Sequence, residues 1–403
     1  MTTAKIISLE AREAKLKRRI RRHLRDLGFT RDSNGRLELP SFAKESYRQF
    51  HDVQREEKLS SSADWLKRKT PRLIKYFADG REVFPAAIEP ELEIIRGGTW
   101  QSDLFRMASL YWRIPVSDGY GRRLRFLVWD KANDKLMGLL ALGDAVFNQR
   151  ARDDFVGWDH HRRSAALVNM MDAYVLGAVP PYNMLLGGKL VASLIRSTEV
   201  VKAFDQKYHD SIGIISGEEK HARLVGVTTS SALGRSSVYN RVALDGHKIL
   251  EPIGYTSGWG HFHFSGAIFD ELRSYLEHVG DDYAAGFCFG SGPNWKIRVI
   301  RRALERLGMD TSRARHGFQR EVFFCRIAQN ALPYLRGDHR RVMYGKLPSI
   351  SEVADSAKKR WVLPRATWDE RYTKWTTGHL LEGISSSRGS SEHPKLVKDA
   401  LGN

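Results

Sequence analysis

The stretch DAYVLGAVPPYNMLLGGKLVASLIRS (residues 172–197) decides the fold class, together with LVGVTTSSALGRSSVYNRVAL (224–244) and IGYTSGWGHFHF (253–264). Each piece runs from an apolar segment through a Gly/Ser/Pro-rich turn into an amphipathic one. Tyr174 to Val179 is short, apolar and β-prone, which predicts a buried strand that Pro180 and Pro181 end. Gly187 and Gly188 then open a helix through Leu190, Leu194 and Ile195. Arg223 to Thr229 predicts a second strand, followed by a short helix around Val238 to Val242. Ile253 to Thr256 predicts a third strand. Strands alternating with helices imply an α/β (α+β) fold, with a mixed central sheet that contains parallel pairs and is flanked by helices. In such sheets ligands gather beyond the carboxyl ends of the strands, where the glycine-rich turns fall.

Upstream, RRLRFLVW (122–129) and Leu136 to Leu142 read as a hairpin around the turn DKANDK. The stretch FNQRARDDFVGWDHHRR (147–163) is polar, aromatic and loop-like. Downstream, Ile268–His278 and Trp295–Leu307 are amphipathic helices, and EVFFCRI (321–327) is a final strand. Beyond Arg336 the chain reads as basic and loosely structured, and SSSRGSSEHPK (385–395) has a disordered composition. The expected division is a basic helical N-terminal region (1–80), an α/β core (81–336) and a basic C-terminal extension (337–403).

The formal charge of +18 and a pI near 9.9 point to a polyanionic partner, and nucleic acid is the one the charge pattern favours. Residues 9–27 predict a helix with Leu9, Leu16, Ile20, Leu24 and Leu27 on one face and Gly28 as its stop. Its other face carries Lys15, Lys17, Arg18, Arg19, Arg21, Arg22 and Arg25, seven cations in eleven residues, which suits contact with phosphates. The second helix offers Lys296, Arg298, Arg301, Arg302 and Arg306, and Arg122, Arg123, Arg152 and Arg235 extend the candidate set. WLKRKTPRLIKYF (65–77) mixes cations with aromatics, a composition that suits a backbone with stacked bases. No apolar run approaches the ~20 residues of a membrane span, and the start, MTTAKIISLEAREAKLKRR, lacks a signal peptide's apolar core. The two cysteines, Cys288 and Cys325, flanked by phenylalanines, fit buried thiols in a reducing, cytoplasmic setting.

Long stretches resemble one family, the Druantia anti-phage system protein A family. They are GYGRRLRFLVWD (119–130), LGDAVFNQRARDDFVGWD (142–159), DAYVLGAVPPYNMLLGGKL (172–190), TTSSALGRSSVYNR (228–241), GYTSGWGHFHFS (254–265), GPNWKIRVIRRALERLG (292–308) and RWVLPRA (360–366). The resemblance implies a component of a bacterial defence against phage DNA, acting beside other subunits. The order hairpin, strand, glycine turn, helix, strand also resembles the GNAT acyltransferase fold. There, the turn after the fourth strand cradles a pyrophosphate on backbone N–H groups. Tyr182 to Lys189 would be that turn, with Asn183, Gly187, Gly188 and Lys189 as the candidate binding residues. It departs from the Gln/Arg-x-x-Gly-x-Gly/Ala pattern at Met184 and Lys189, so acetyl-CoA is not expected, and the sequence names no other cofactor.

Chemistry is expected around His261 and His263, placed two apart on a strand so that they share a face. Tyr255 crowds the same loop and Asp172 is the candidate acid, giving a catalytic set of His261, His263, Tyr255 and Asp172. No metal set follows, because neither cysteine joins the histidines; Asp153, Asp154 and Asp159 read as surface partners of arginines. Two functions stay open. One is nucleic-acid binding within a defence system. The other is an enzyme acting on DNA or nucleotides, either a base-modifying GNAT-like transferase or a metal-dependent phosphodiesterase. A pocket requires the turns at 152–159, 183–189, 228–239 and 255–263 to meet.

Overall fold

Two adjacent, predominantly apolar segments form a hairpin within the main sheet. Arg123–Asp130 (β2) and Lys135–Asp144 (β3) pair antiparallel from Arg123 opposite Gly143 to Asp130 opposite Lys135. Asp134 takes a positive φ of 53° in the turn between them, a conformation that Asp tolerates better than most residues. The computed structural model describes residues 8–27, 29–31, 37–38, 44–116, 121–212, 217, 219–232, 234–258, 262–264, 266–281, 293–314 and 319–385. The Gly28 stop, His261, Cys288 and the tail beyond residue 385 lie outside them.

The sheet has seven strands. With β1 at Pro90–Ile94, β4 at Met170–Ala178, β5 at Gly226–Ser230, β6 at Glu251–Tyr255 and β7 at Glu321–Arg326, the order is β6-β7-β5-β4-β3-β2-β1. The α/β class with a mixed, helix-flanked sheet is therefore correct. Parallel pairing is confined to β4 and β5, from Met170 opposite Gly226 to Asp172 opposite Thr228. All other neighbours are antiparallel. The register of β4 on β3 shifts between Ala173 and Val175, leaving Tyr174 as a bulge.

The chain divides into two compact units. One comprises 51–255 and 320–403, and the other 1–50 and 256–319. In the first, one sheet face (Phe126, Leu140, Ala173, Phe323) is covered by Gly187–Ser193 (α6), Thr198–Tyr208 (α7) and Ile350–Ala357 (α11). The opposite face (Leu127, Leu139, Val175) is covered by residues 51–73 of the helix Lys44–Leu73 (α2), by Trp100–Tyr111 (α3) and by Thr377–Ser385 (α13). Burying these Leu, Ile, Val and Phe side chains contributes about 1.5–3 kcal/mol each.

Three expectations are corrected. The loop read at 147–163 is instead two short helices, Arg150–Val156 (α4) and His160–Ala166 (α5). Gly157 ends the first at φ 80°, and the Asp159 carboxylate caps the second by accepting from the Arg162 N–H at 2.6 Å. The inward face of α4 carries Arg152 and Asp153, so no apolar period announces it. Ala331–Arg336 forms α10, and beyond it the chain is ordered as α11, a π-helical turn at Lys358–Val362, Leu363–Trp368 (α12) and α13. Val353, Ala357, Trp361 and Val362 belong to the core there. Gly80 is drawn into the same packing: its N–H donates to the Trp375 carbonyl at 2.8 Å. Finally, the segment expected to be a strand at the histidines is a 3-10 turn, Phe262–Phe264.

In the other unit, Leu9–Asp26 (α1) buries Leu16, Ile20 and Leu24, whereas Leu9 is exposed. Ala267–His278 (α8) and Pro293–Arg306 (α9) supply Ile268, Leu272, Leu276, Ile300, Ala303 and Leu304 to the interior.

Candidate functional site

The carboxylate of the expected catalytic set is Asp172, half-buried where β4 and β5 stop pairing. The Thr228 hydroxyl donates to Asp172 Oδ1 at 2.9 Å. Burial pushes the Asp172 carboxyl up to about 6, against the pull of the Thr228 hydrogen bond and the positive charges of Arg152 and Arg320. A carboxyl held there exchanges its proton near neutrality, as a general acid or base must. Near the same Arg320 lies His51 on α2. Burial lowers its imidazole below the ordinary value, and a hydrogen bond from its Nδ1 to the Gln54 side-chain oxygen opposes the shift. His51, Thr228 and Arg320 were not singled out from sequence. A lone histidine on a polar helix turn, a threonine within a strand and an arginine just before β7 carry no local signal; only the topology brings Thr228 and Arg320 toward Asp172.

Past Asp172, side chains of residues 229–239 hydrogen-bond to the backbone of β4. The Thr229 hydroxyl donates to the Ala173 carbonyl at 2.8 Å, and the Tyr239 hydroxyl donates to the Leu176 carbonyl at 3.3 Å. The Tyr239 ring packs edge-on to Phe323 at 5.6 Å, and burial pushes its phenol up to about 12. Glu321 fixes this segment by accepting from the Ser236 N–H at 2.9 Å and the Asn240 amide at 2.7 Å.

The remaining expected residues fall in different places. In the turn before α6, Leu186 is left-handed at φ 60°, and a Cβ on Gly187 would stand 2.6 Å from the Tyr182 carbonyl. Lys189 lies 5.4 Å from the Trp361 ring, and burial, with Arg241 and Arg360 nearby, lowers its ammonium. Asn183 lies in the 3-10 turn Tyr182–Leu185. Tyr255 is exposed at the end of β6. His263 belongs to the other unit and is fully buried there. Its Nε2 is 2.6 Å from the Arg313 carbonyl, its own carbonyl is 3.0 Å from His23 Nε2, and its ring packs on Phe29 and Phe264.

The acids of 152–159 are engaged. Asp153 binds Arg152 at 2.6 Å and Arg163 at 2.9 Å, and Asp154 faces Arg150 at 3.3 Å. Among the described residues no group of three or more His, Cys, Asp or Glu is arranged to hold a metal.

The candidate phosphate contacts separate by burial. Arg152 has a fully buried side chain, spent on Asp153 and on the carbonyls of Val146 and Phe147. Arg122 is spent on Asp144 at 2.7 Å and on the carbonyls of Val168 and Met170. Arg123 is half-buried at the start of β2, and Arg235 is exposed. On α9, Arg302 and Arg306 both clamp the buried Asp281 at 2.9 Å, and Lys296 lies 5.5 Å from the Phe269 ring. Arg298 and Arg301 face outward. On α1, Lys15, Arg18, Arg21, Arg22 and Arg25 are exposed, and Arg19 pairs with Glu271. Among the described residues no ion pair engages Lys15, Arg18, Arg21 or Arg22. No helix there is long and apolar enough to cross a membrane.

Residues 41–337 match the family model described as Druantia protein DruA. The whole chain resembles a Druantia protein DruA from Escherichia coli (strain UMEA 4076-1), 48% identical over 381 residues and 94% of each chain. The chain belongs to the DruA family. No solved structure matches it. The family-matched span of this DruA-family chain holds the whole sheet, Asp172 and α9. Helix α1 precedes it, and α11, α12 and α13 follow it.

Proposed function

We propose that this chain is a component of the Druantia anti-phage system that binds nucleic acid, DNA foremost, through the outer face of α1. The observation that carries this reading is the arrangement of α1. Leu16, Ile20 and Leu24 anchor the helix, while Lys15, Arg18, Arg21 and Arg22 stay exposed, without acidic partners among the described residues. Fixed, unneutralised cations at helical spacing are what displaces counterions from a phosphate backbone. Arg298, exposed on α9, extends the same chemistry. Family membership supports a role beside other Druantia subunits, and the buried free thiol of Cys325 supports a reducing cytoplasm. The test is replacement of Lys15, Arg18, Arg21 and Arg22 by Glu. Protection in a plaque assay is expected to be lost with the melting temperature unchanged, and full protection removes the reading.

A second reading, an enzyme acting on DNA or nucleotides, is favoured by Asp172 alone. A carboxyl pushed up to about 6 beside Thr228, Arg152 and Arg320 is poised for proton transfer. The succession of hairpin, β4, glycine turn, α6 and β5 supports a GNAT-type frame, while Tyr239, hydrogen-bonded to the backbone of β4, argues against an acyl-CoA seat. Asp172→Asn should then abolish protection while the folded protein keeps its DNA affinity, since losing a proton-transfer group costs about 10²–10⁴-fold in rate. Undiminished protection by that variant rules the enzyme out at this site.

A further inference from the structure

Three aromatic rings meet at one surface of the sheet-bearing unit. Tyr76, in the 3-10 turn after α2, stacks on Trp100 at the start of α3, with ring centroids 4.7 Å apart and planes 17° from parallel. Trp129 of β2 closes the group, 5.7 Å from Tyr76 and 6.3 Å from Trp100. Trp129 is held by its indole N–H, which donates to Glu93 at 2.8 Å, and Gln101 donates to the other oxygen of that carboxylate at 2.9 Å. The platform is thus fixed in place before any ligand arrives. Trp100 is nevertheless 43% exposed, an unusual state for a stacked indole at the surface of a charged protein.

An open cleft beside it is lined by Pro71, Arg72, Leu73, Lys75, Tyr76 and Trp100. Arg72 and Lys75 are exposed, and Lys75 Nζ lies 5.1 Å from the Tyr76 ring. No carboxylate is among the lining residues. The neighbouring acids are engaged elsewhere, Glu93 on Trp129 and Gln101, and Asp103 on Lys69 at 2.7 Å. Cations beside a rigid exposed π-face, with no acid to neutralise them, complement a ligand that presents a flat ring next to a negative charge. A nucleotide in a single strand does this; a duplex keeps its bases stacked inside.

We propose that Trp100 is a stacking site for an unpaired base of single-stranded nucleic acid, with Arg72 and Lys75 contacting the adjacent phosphates. The proposal deepens the nucleic-acid reading and rests on it, but uses a surface separate from α1.

The experiment is a fluorescence anisotropy titration of the full chain with labelled oligo-dT, oligo-U, an abasic oligonucleotide of the same length, and a duplex. Trp100→Ala is expected to weaken oligo-dT binding about tenfold and to leave abasic and duplex binding unchanged. Trp100→Phe should retain most of the affinity, and a paired Arg72→Ala, Lys75→Ala variant should weaken oligo-dT binding and reduce its salt dependence. Comparable losses with oligo-U assign the site to either nucleic acid, and a loss with oligo-dT only assigns it to DNA. Unchanged oligo-dT and oligo-U affinity in a folded Trp100→Ala variant, while α1 charge reversal still abolishes binding, overturns the stacking site and leaves the α1 reading intact. Wild-type protein that binds none of the four probes overturns both.

Discussion

Thr228 donates a 2.9 Å hydrogen bond to Asp172 across the parallel pair β4 and β5, and that carboxyl is pushed up to about 6 by burial. A carboxyl raised above its unfolded value near 3.9 binds its proton more tightly in the folded chain. Its contribution to stability is therefore full below about pH 4 and lost as pH rises through 6. The effect is at most about 2–3 kcal/mol, reduced by the partial solvent access of the side chain. Asp172→Asn, which cannot ionise, should be more stable than the wild type at pH 7.5, with the difference shrinking as pH falls to 4.5. Thermal melts at the two pH values check this. A variant no more stable at pH 7.5 would mean that the ionised carboxylate is well accommodated.

His263 has the opposite character. Its ring nitrogen is bound to the Arg313 carbonyl in a fully buried site. His263→Ala removes that partner and leaves a cavity beside Phe29 and Phe264, so a loss of about 1–3 kcal/mol is expected. Denaturant unfolding measures it. Protection should fall only in proportion to folded protein.

Gly80 tests the docking of the C-terminal segment. A Cβ there would stand 1.8 Å from the Tyr372 carbonyl, a backbone atom that cannot swing aside. Gly80→Ala should cost about 3 kcal/mol, the upper end for overpacking, and limited proteolysis should then cut near residues 370–376.

Cys325 lies inside β7 with no exposure, and its thiol is pushed up to about 12 by burial. It should resist alkylation in the native protein at pH 8 and react fully in denaturant. Peptide mapping after native-state labelling reports this, and rapid labelling of Cys325 would contradict its burial.

Much of the frame was legible because its signals are local. The apolar segments Arg122–Trp129 and Leu136–Leu142 on either side of the turn DKANDK marked the hairpin, and the helical spacing of Leu16, Ile20 and Leu24 marked α1. Helix α4 was illegible because its inward residues are Arg152 and Asp153, whose burial depends on pairing with each other and with Arg163. The His263 environment could not be anticipated either, since its partners Arg313 and Phe29 come from distant segments. For the same reason Arg152 and Arg122 read as phosphate contacts: a cation's partners, not its identity, decide whether it faces solvent. The Asp172 neighbourhood combines residues from α4, β4, β5 and the approach to β7, so only tertiary structure reveals it.

The most direct test of the central claim is the salt dependence of duplex-DNA affinity. It should be measured for the wild type and for the variant with Lys15, Arg18, Arg21 and Arg22 changed to Glu. Each phosphate contact adds about 0.9 to the slope of log affinity against log salt. The wild type should lose affinity steeply between low and moderate salt. The variant, with its melting temperature unchanged, should bind far more weakly with a slope smaller by about three to four. Equal affinity and equal slope for the two proteins would contradict the account.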